Sequence, residues 1–140
     1  MSGKVFLDSN IIVYAYDPDY PEKQAKAIDL IQEVAADGSG VVSYQVVQEF
    51  LNFSLGKAQV KLTHHHAQQV FTELLLPMLT VHSSATLFSA AIRLHERYRL
   101  GWYDSLIVAA AQQANCATLY SEDLQHGQQF GSVTVHNPFR

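Results

Sequence analysis

Five short apolar runs alternate along this chain with longer segments of helical periodicity, and this alternation constrains the fold most strongly. The runs are VFL from Val5, GVVS from Gly40, LTVHS from Leu79, ATLYS from Ala117 and SVTVH from Ser132. Runs of this length are typical of short buried strands. Strands that alternate with helices form a parallel sheet covered on both faces. The alternation therefore predicts an α/β fold with a mainly parallel sheet of about five short strands.

Apolar spacing and flanking signals locate the helices between these strands. Ala27, Leu30, Ile31 and Val34 keep the i, i+3, i+4, i+7 spacing of one apolar face, between Pro21 and the sequence DGSG. A second predicted helix runs from an N-cap at Ser43 through Leu55, and a further one runs from about Asp104 to Asn115. The helix from Thr63 has Pro77 beyond its end and an apolar side made of Ala67, Val70, Phe71 and Leu74. The helix from Ser84 has an inward face made of Leu87, Ala91, Leu94 and Tyr98.

Composition limits the class of protein. The 140 residues, 48% hydrophobic and 16% charged, predict one compact domain over residues 1–140. A single cysteine, Cys116, excludes an internal disulfide and a cysteine-based zinc site. Charged and polar residues before Tyr16 argue against a signal peptide, and no apolar run approaches the roughly 20 residues of a membrane helix. We therefore expect a cytoplasmic protein with no membrane association.

Acidic residues stand where a parallel sheet binds ligands. Asp8 directly follows the first strand, and Glu122 and Asp123 follow the fourth. Glu49 borders the apolar face of the helix after the second strand, and Asp104 opens the helix before the fourth. That last helix is apolar nearly all round, which predicts burial. Because ligands bind beyond the carboxyl ends of parallel strands, we expect these acids to meet at that edge.

Clustered carboxylates repel one another unless cations neutralise them. Their oxygens are the hard ligands that Mg²⁺ and Mn²⁺ prefer, and one or two such ions can activate water against a phosphodiester. The formal net charge of −4 argues against a broad basic surface but not against a metal-dependent nuclease, because bound metal ions would offset it. The chain has no evident Ser–His–Asp order, no Walker A loop and no G-x-G-x-x-G fingerprint.

Four segments together resemble the PIN domain family, and within it the VapC-like toxin ribonucleases. They are FLDSNIIVYA (6–15), VVSYQVVQEF (41–50), YDSLIVAAA (103–111) and LYSEDLQHG (119–127), followed by a terminal strand and NPF. The order Asp, Glu, Asp, Asp is specific in combination, although each piece alone is weak. The resemblance implies a three-layer α/β/α fold and a Mg²⁺- or Mn²⁺-dependent endoribonuclease that hydrolyses RNA phosphodiester bonds.

The resemblance also implies roles for individual residues. Asp8 and Asp104 would ligate one or two metal ions directly, and Glu49 and Asp123 would complete the catalytic site, partly through water. The supporting residues would be Ser9, Asn10, Ser121 and Glu122. Glu122 departs from the family pattern as a fifth acid, which is either a ligand or a solvent-facing residue. Toxins of this type usually form homodimers, and a small antitoxin covers the active site and often places an Arg or Lys among the acids.

Simpler structural roles remain open for the same residues. Asp8 could cap the helix that starts near Asn10, and Asp104 suits an N-cap, a role that does not exclude ligation. Asp123 could cap the short segment LQHGQQF. Glu49 could be a solvated helix-edge residue. The remaining open assignments concern Trp102 and Tyr103, which either stack on a base or pack beneath the cleft, and His126, which either contacts substrate or lies at the surface.

RNA binding requires cations, and four are candidates for substrate contacts: Lys57, Lys61, Arg93 and Arg97. Two other functions compete with the nuclease. A catalytically silent PIN-like module could bind RNA or a protein partner, and would bind no divalent metal. A receiver-like signalling domain needs an acceptor Asp after the third strand and a late Lys. Here LTVHS ends without that Asp, and no Lys follows Lys61.

Overall fold

The computed structural model describes residues 3–140, so residues 1 and 2 of the predicted 1–140 domain lie outside the description. Within this range six strands form one sheet in the order β3-β2-β1-β4-β6-β5. They are β1 (Val5–Leu7), β2 (Gly40–Ser43), β3 (Leu79–Val81), β4 (Thr118–Tyr120), β5 (Gln129–Phe130) and β6 (Val133–His136). Every neighbouring pair is parallel except β5 with β6.

Helices cover both faces of the sheet, which gives a three-layer α/β/α arrangement and confirms the predicted fold class. They are α1 (Ser9–Ala15), α2 (Pro21–Asp37), α3 (Tyr44–Asn52), α4 (His64–Val70), α5 (Leu76–Met78), α6 (Ala85–Tyr98) and α7 (Trp102–Gln113). Helix α1 packs against α2 and α3, and α6 packs against α7. None of the helices in this described range combines the length and the apolar character needed to cross a membrane.

The core centres on strand β1 and helix α7. Val5, Phe6 and Leu7 are all buried, and residues 105–111 of α7 are buried on every side, as the apolar sequence of that helix predicts. Burial of a large apolar side chain contributes roughly 1.5–3 kcal/mol. These two elements therefore form a fixed base for the residues at their ends.

Two of the three predicted serine and threonine caps form the expected hydrogen bond. Thr63 accepts from the backbone N–H of His66, and Ser84 accepts from that of Leu87. Ser43 occupies the N-cap position of α3, but its side chain makes no capping bond in the described structure, where its buried hydroxyl has no partner. Ser43 therefore occupies the predicted N-cap position without the side-chain bond that is typical of it.

The sixth strand, β5, was missed by the sequence analysis. It has only two residues, and it forms an antiparallel hairpin with β6 through a turn that contains Gly131 at a φ of 63°. This positive φ is readily available to glycine. A two-residue strand carries too little alternation to give a periodic signal, so the only local clue was this glycine.

Three helix boundaries also differ from prediction. The α-helix after Ser43 ends at Asn52 and continues as a π-helical segment, Phe53–Lys57. The helix after Thr63 ends at Val70 and continues as a second π-helical segment, Phe71–Leu75. Pro77 is the second residue of α5 and does not lie beyond a helix. Proline is tolerated there because its missing N–H is unpaired in a first helical turn. Helix α7 begins at Trp102, so Asp104 lies in its first turn and Gly101 occupies the N-cap.

Candidate active site

The central strands β1 and β4 bring two parts of the predicted site together. They are neighbours in parallel register, so their carboxyl ends emerge at the same edge of the sheet. The backbone N–H of Asp8 donates to the carbonyl oxygen of Tyr120 at 3.0 Å, which continues the ladder past β1. Asp8 and Ser121, which directly follow these strands, therefore lie side by side.

Asp8 is a helix cap and a buried acid at once. Its Oδ1 accepts from the N–H of Ser9 at 2.7 Å, which caps α1, and its Oδ2 accepts from the Ser121 hydroxyl at 2.8 Å. The pKa of Asp8 is raised from 3.8 to about 7, mainly because the group is buried. The hydrogen bonds from Ser121 and Ser9 lower this pKa, and the charges of Asp123 and Glu49 raise it further. The helix-capping role predicted for Asp8 is confirmed. Capping uses only Oδ1, so Oδ2 remains available to contact Ser121 and Asn10.

Asn10 connects Asp8 with Asp123. Its Oδ1 accepts from the backbone N–H of Glu122 at 3.2 Å. Its Nδ2 lies 3.2 Å from Asp123 Oδ2 and 3.5 Å from Asp8 Oδ2. Since only the amide oxygen can accept from a backbone N–H, the amide nitrogen must face the two carboxylates. Asn10 thus holds these carboxylates near each other, and the Asp123 N–H donates to Ser121 Oγ at 3.2 Å.

Glu122 neither faces solvent freely nor points at the other acids. Its Oε1 accepts from the Tyr14 hydroxyl at 2.6 Å, and its Oε2 forms a salt bridge with Lys23. Burial works to raise the pKa of Glu122, but the hydrogen bonds from Lys23 and Tyr14 outweigh it and the pKa lies below its ordinary value. Neither Tyr14 nor Lys23 was predicted from the sequence as a site residue. Tyr14 shares a face with Asn10 at i, i+4, which was a usable signal, whereas Lys23 had none.

A cavity of about 490 Å³ lies above these residues. Its polar lining includes Ser9, Asn10, Glu49, Asn52, Glu122 and Asp123, and its aromatic lining is Tyr14, Tyr20 and Phe53. Glu49 is exposed to this cavity, whereas Asp8 is buried at the sheet edge. Lys57 contributes a cation to the wall. The cavity therefore combines carboxylates, aromatic rings and one lysine.

Asp104 is half-buried in the first turn of α7. Burial raises its pKa, and the charge of Asp123 raises it further. Asp123 thus acts electrostatically on both Asp104 and Asp8, and Glu49 acts on Asp8. Asp8 and Asp123 are thus joined at the carboxyl edge of the sheet, and Glu49 and Asp123 line the cavity beside it. Asp104 lies in the first turn of α7, outside the cavity lining, where the charge of Asp123 still acts on it.

The chemistry of these donors fits a hard divalent cation. Buried carboxylates with a raised pKa, here Asp8 and Asp104, are stabilised in their charged form by a nearby cation. Among residues 3–140, however, no three His, Cys, Asp or Glu side chains are arranged closely enough to hold a metal ion. A metal ion held by three of these acids would therefore require their side chains to move closer together.

The other predicted residues divide between this cavity and separate surfaces. Lys61 is exposed beyond the π-helical segment, outside the cavity lining. Arg93 and Arg97 line a different cavity of about 480 Å³, beside Gln112 and Gly131. The structure thus places one of the four candidate cations, Lys57, with the acids.

Three further residues have defined positions. Trp102 packs partly buried against the core, and the Tyr103 side chain is 66% exposed. His126 accepts from the N–H of Asn137 through Nδ1 and lies against His136. His126 is therefore tied to the end of β6, whereas Trp102 is the first residue of α7 and contacts the core.

A three-layer α/β/α fold with acids at the carboxyl edge of a parallel sheet defines a class of domains that bind ligands at that edge. The PIN domain family model matches residues 5–128, and the chain belongs to this family. No curated protein matches the chain.

Solved structures share the fold at low sequence identity. FitAcB from Neisseria gonorrhoeae aligns with a TM-score of 0.67 and 18% identity over 96% of this chain and 98% of its own. VapBC2 from Rickettsia felis, bound to a promoter DNA fragment, aligns with a TM-score of 0.67 and 21% identity over 95% of this chain and 97% of its own. A toxin–antitoxin complex from Klebsiella pneumoniae aligns with a TM-score of 0.64 and 17% identity over 96% of this chain and 98% of its own. The PIN assignment of the sequence analysis is thereby confirmed.

Proposed function

We propose that this chain is a metal-dependent endoribonuclease. The observation that supports the proposal is that Asn10 and Ser121 hold Asp8 and Asp123 together at the sheet edge, beside the cavity that Glu49 and Asp123 line. The pKa of Asp8 and that of Asp104 are raised, first by burial and then by the charges of neighbouring acids. Holding ionised groups so close is unfavourable for a purely structural site. A cation-binding function accounts for the arrangement.

Asp8 and Asp104 would hold Mg²⁺ or Mn²⁺, one or two ions, with Glu49 and Asp123 completing the set. When bound, the metal would activate water and stabilise charge on the phosphodiester. Ser9 holds Asp8 Oδ1 through its backbone N–H, and Ser121 holds Oδ2 through its hydroxyl. These two donors fix the Asp8 carboxylate before any ligand arrives.

The cavity wall suits a single-stranded nucleic acid. Tyr20 is 51% exposed and Phe53 is partly exposed at the cavity, so both can stack on unpaired bases. Lys57 on the same wall can contact a phosphate. The formal net charge of −4 makes such a local cation important, because the remaining surface offers little general attraction for RNA.

The biological setting we propose is the toxin of a VapBC-type toxin–antitoxin pair. The support is the fold shared with the toxin–antitoxin complex from Klebsiella pneumoniae and with VapBC2 from Rickettsia felis. A small antitoxin that places an Arg or Lys in the acidic cavity would complement its charge. We also propose a homodimer, for which the exposed Phe88 and Ile92, one turn apart on α6, offer an apolar surface.

Substitution of the two central acids tests the enzymatic function. Asp8→Asn and Asp104→Asn should each abolish Mn²⁺-dependent RNA cleavage while the fold survives, because carboxamides ligate these metals poorly. The exposed Asp29 on α2 supplies the control Asp29→Asn. Products of the unmodified protein should carry a 5′-phosphate and a 3′-hydroxyl. Full cleavage by both folded, nuclease-free site variants would refute the proposal.

A catalytically silent PIN-like module is the second candidate. One observation favours it: within the described chain no three potential ligands are already grouped for a metal. Calorimetric titration with Mn²⁺ separates the two functions. A silent module should show no binding at millimolar or lower concentration, whereas the nuclease should bind through Asp8 and Asp104.

A further inference from the structure

Glu122 is held by a network that the four-acid site does not include. Its carboxylate accepts from Tyr14 at 2.6 Å and pairs with Lys23. The Lys23 ammonium lies 4.8 Å from the centre of the Tyr14 ring, and 5.7 Å from the centres of the Tyr20 and Phe139 rings. This ammonium, surrounded by three rings and one carboxylate, fixes the position of residue 122 from the side of α2.

The backbone of Glu122 transmits this position to the acids. Its N–H donates to Asn10 Oδ1, and that bond decides which way the Asn10 amide faces. With the oxygen engaged, Nδ2 is left for Asp123 and Asp8. If residue 122 moved, Asn10 would be free to turn its oxygen toward the carboxylates, where it would repel them.

We infer that Glu122 is a positioning residue: clamped by Tyr14 and Lys23, it orients Asn10 and thereby sets the spacing of Asp8 and Asp123. The inference rests on the proposed metal-dependent function for its effect on catalysis, but not for its effect on Asn10. This role explains the fifth acid of the sequence, because Tyr14 and Lys23 already engage both oxygens of the Glu122 carboxylate without a metal ion.

Metal affinity tests the clamp. Glu122→Ala and Lys23→Ala should each weaken Mn²⁺ binding about tenfold in calorimetry, as loss of a group that supports a ligand typically does. The double variant should be no weaker than either single variant, because both remove the same clamp. Lys23→Arg, which keeps a positive charge at this position, should retain most of the Mn²⁺ affinity. Lys26→Ala, an exposed position one turn along α2, is the matched control and should match the unmodified protein.

Nuclear magnetic resonance gives a readout that needs no metal and no activity. The Asn10 side-chain amide signals of the metal-free protein should shift and broaden in Glu122→Ala and Lys23→Ala, and stay in place in Lys23→Arg and Lys26→Ala. Saturating Mn²⁺ should recover most of the RNA cleavage by Glu122→Ala, because the four acids remain. This recovery distinguishes Glu122 from Asp104.

Two results would overturn the inference. Unchanged Asn10 signals in Glu122→Ala would show that the clamp does not orient Asn10. The second result is a defect in Mn²⁺ binding by Glu122→Ala that is as large as that of Asp104→Asn and that saturating metal does not overcome. Such a defect would show that Glu122 is a metal ligand. If the unmodified protein binds no metal, the nuclease proposal fails, and the Asn10 signals still decide the role of the clamp.

Discussion

The Ser121 hydroxyl donates to Asp8 Oδ2 at 2.8 Å and thereby joins two residues 113 positions apart in the chain. Ser121 Oγ also accepts a hydrogen bond from the backbone N–H of Asp123 at 3.2 Å. Ser121 is buried, and its bond lowers the pKa of Asp8 against the larger effect of burial. One hydroxyl thus both stabilises the charged form of Asp8 and positions Asp123.

We expect Ser121→Ala to weaken Mn²⁺ binding at pH 7 by about tenfold, because Asp8 then ionises less readily. The loss should be smaller at pH 8, where a larger share of Asp8 is ionised in both proteins. Calorimetric titrations at the two pH values measure the effect. Ser132→Ala, at an exposed serine, is the control and should bind as the unmodified protein does. An equal defect at both pH values would show that Ser121 acts only through geometry.

The burial of Asp8 predicts a pH-dependent cost to the metal-free fold. Its pKa is 3.8 in the unfolded reference and about 7 in the folded protein. Below pH 3.8 the carboxyl is protonated in both states and there is no penalty. As the pH rises toward 7, only the unfolded state ionises freely, so stability falls by an amount on the order of a few kcal/mol and then levels off.

Asp8→Asn should therefore raise the melting temperature of the metal-free protein at pH 8 and change it little at pH 3, below the pKa of the unfolded state. The amide can still accept from the Ser9 N–H, so the cap of α1 survives. Thermal unfolding in chelator measures this, with Asp29→Asn as the control. Added Mn²⁺ should stabilise the unmodified protein and leave Asp8→Asn unchanged, since only a metal-binding folded state gains. A lower melting temperature for Asp8→Asn at pH 8 would contradict the argument.

Part of the site was predictable because it depends on local rules. Asp8 and Asp123 follow buried strands, and a parallel sheet brings such positions to one edge. The strand order could not be obtained this way, since it depends on which strands pair. The adjacency of β1 and β4, which puts Ser121 beside Asp8, is therefore a result of the structure.

The contacts that hold the site together were harder to foresee. Lys23 and Glu122 are 99 residues apart, and nothing local marks them as partners. The assignment of Arg93 and Arg97 to the substrate rested on charge alone, and the structure places both in a separate cavity. Charge and local pattern predict which residue types can act together, but the tertiary fold decides which of them meet.

The position of Lys57 predicts a specific effect on RNA binding. Lys57 lines the acidic cavity, whereas Lys61, in the same connection, does not. Lys57→Ala should weaken binding of a single-stranded RNA severalfold and reduce the salt dependence of the affinity by about one ionic contact. Lys61→Ala is the matched control and should change neither. Fluorescence anisotropy over a range of salt concentrations, in chelator, provides the measurement. Equal losses for the two lysines would indicate a diffuse attraction and no defined phosphate contact.

Two N-cap serines with different hydrogen bonding give the last prediction. Ser84 Oγ accepts from the Leu87 N–H at 3.1 Å, so Ser84→Ala should cost about 1 kcal/mol of unfolding free energy. Within the described structure the buried Ser43 hydroxyl has no partner, so Ser43→Ala removes an unpaired polar group and should stabilise the fold by roughly 1 kcal/mol. Urea denaturation at one pH compares the two variants directly. Destabilisation by both would show that Ser43 forms a hydrogen bond in solution, for example with a buried water molecule.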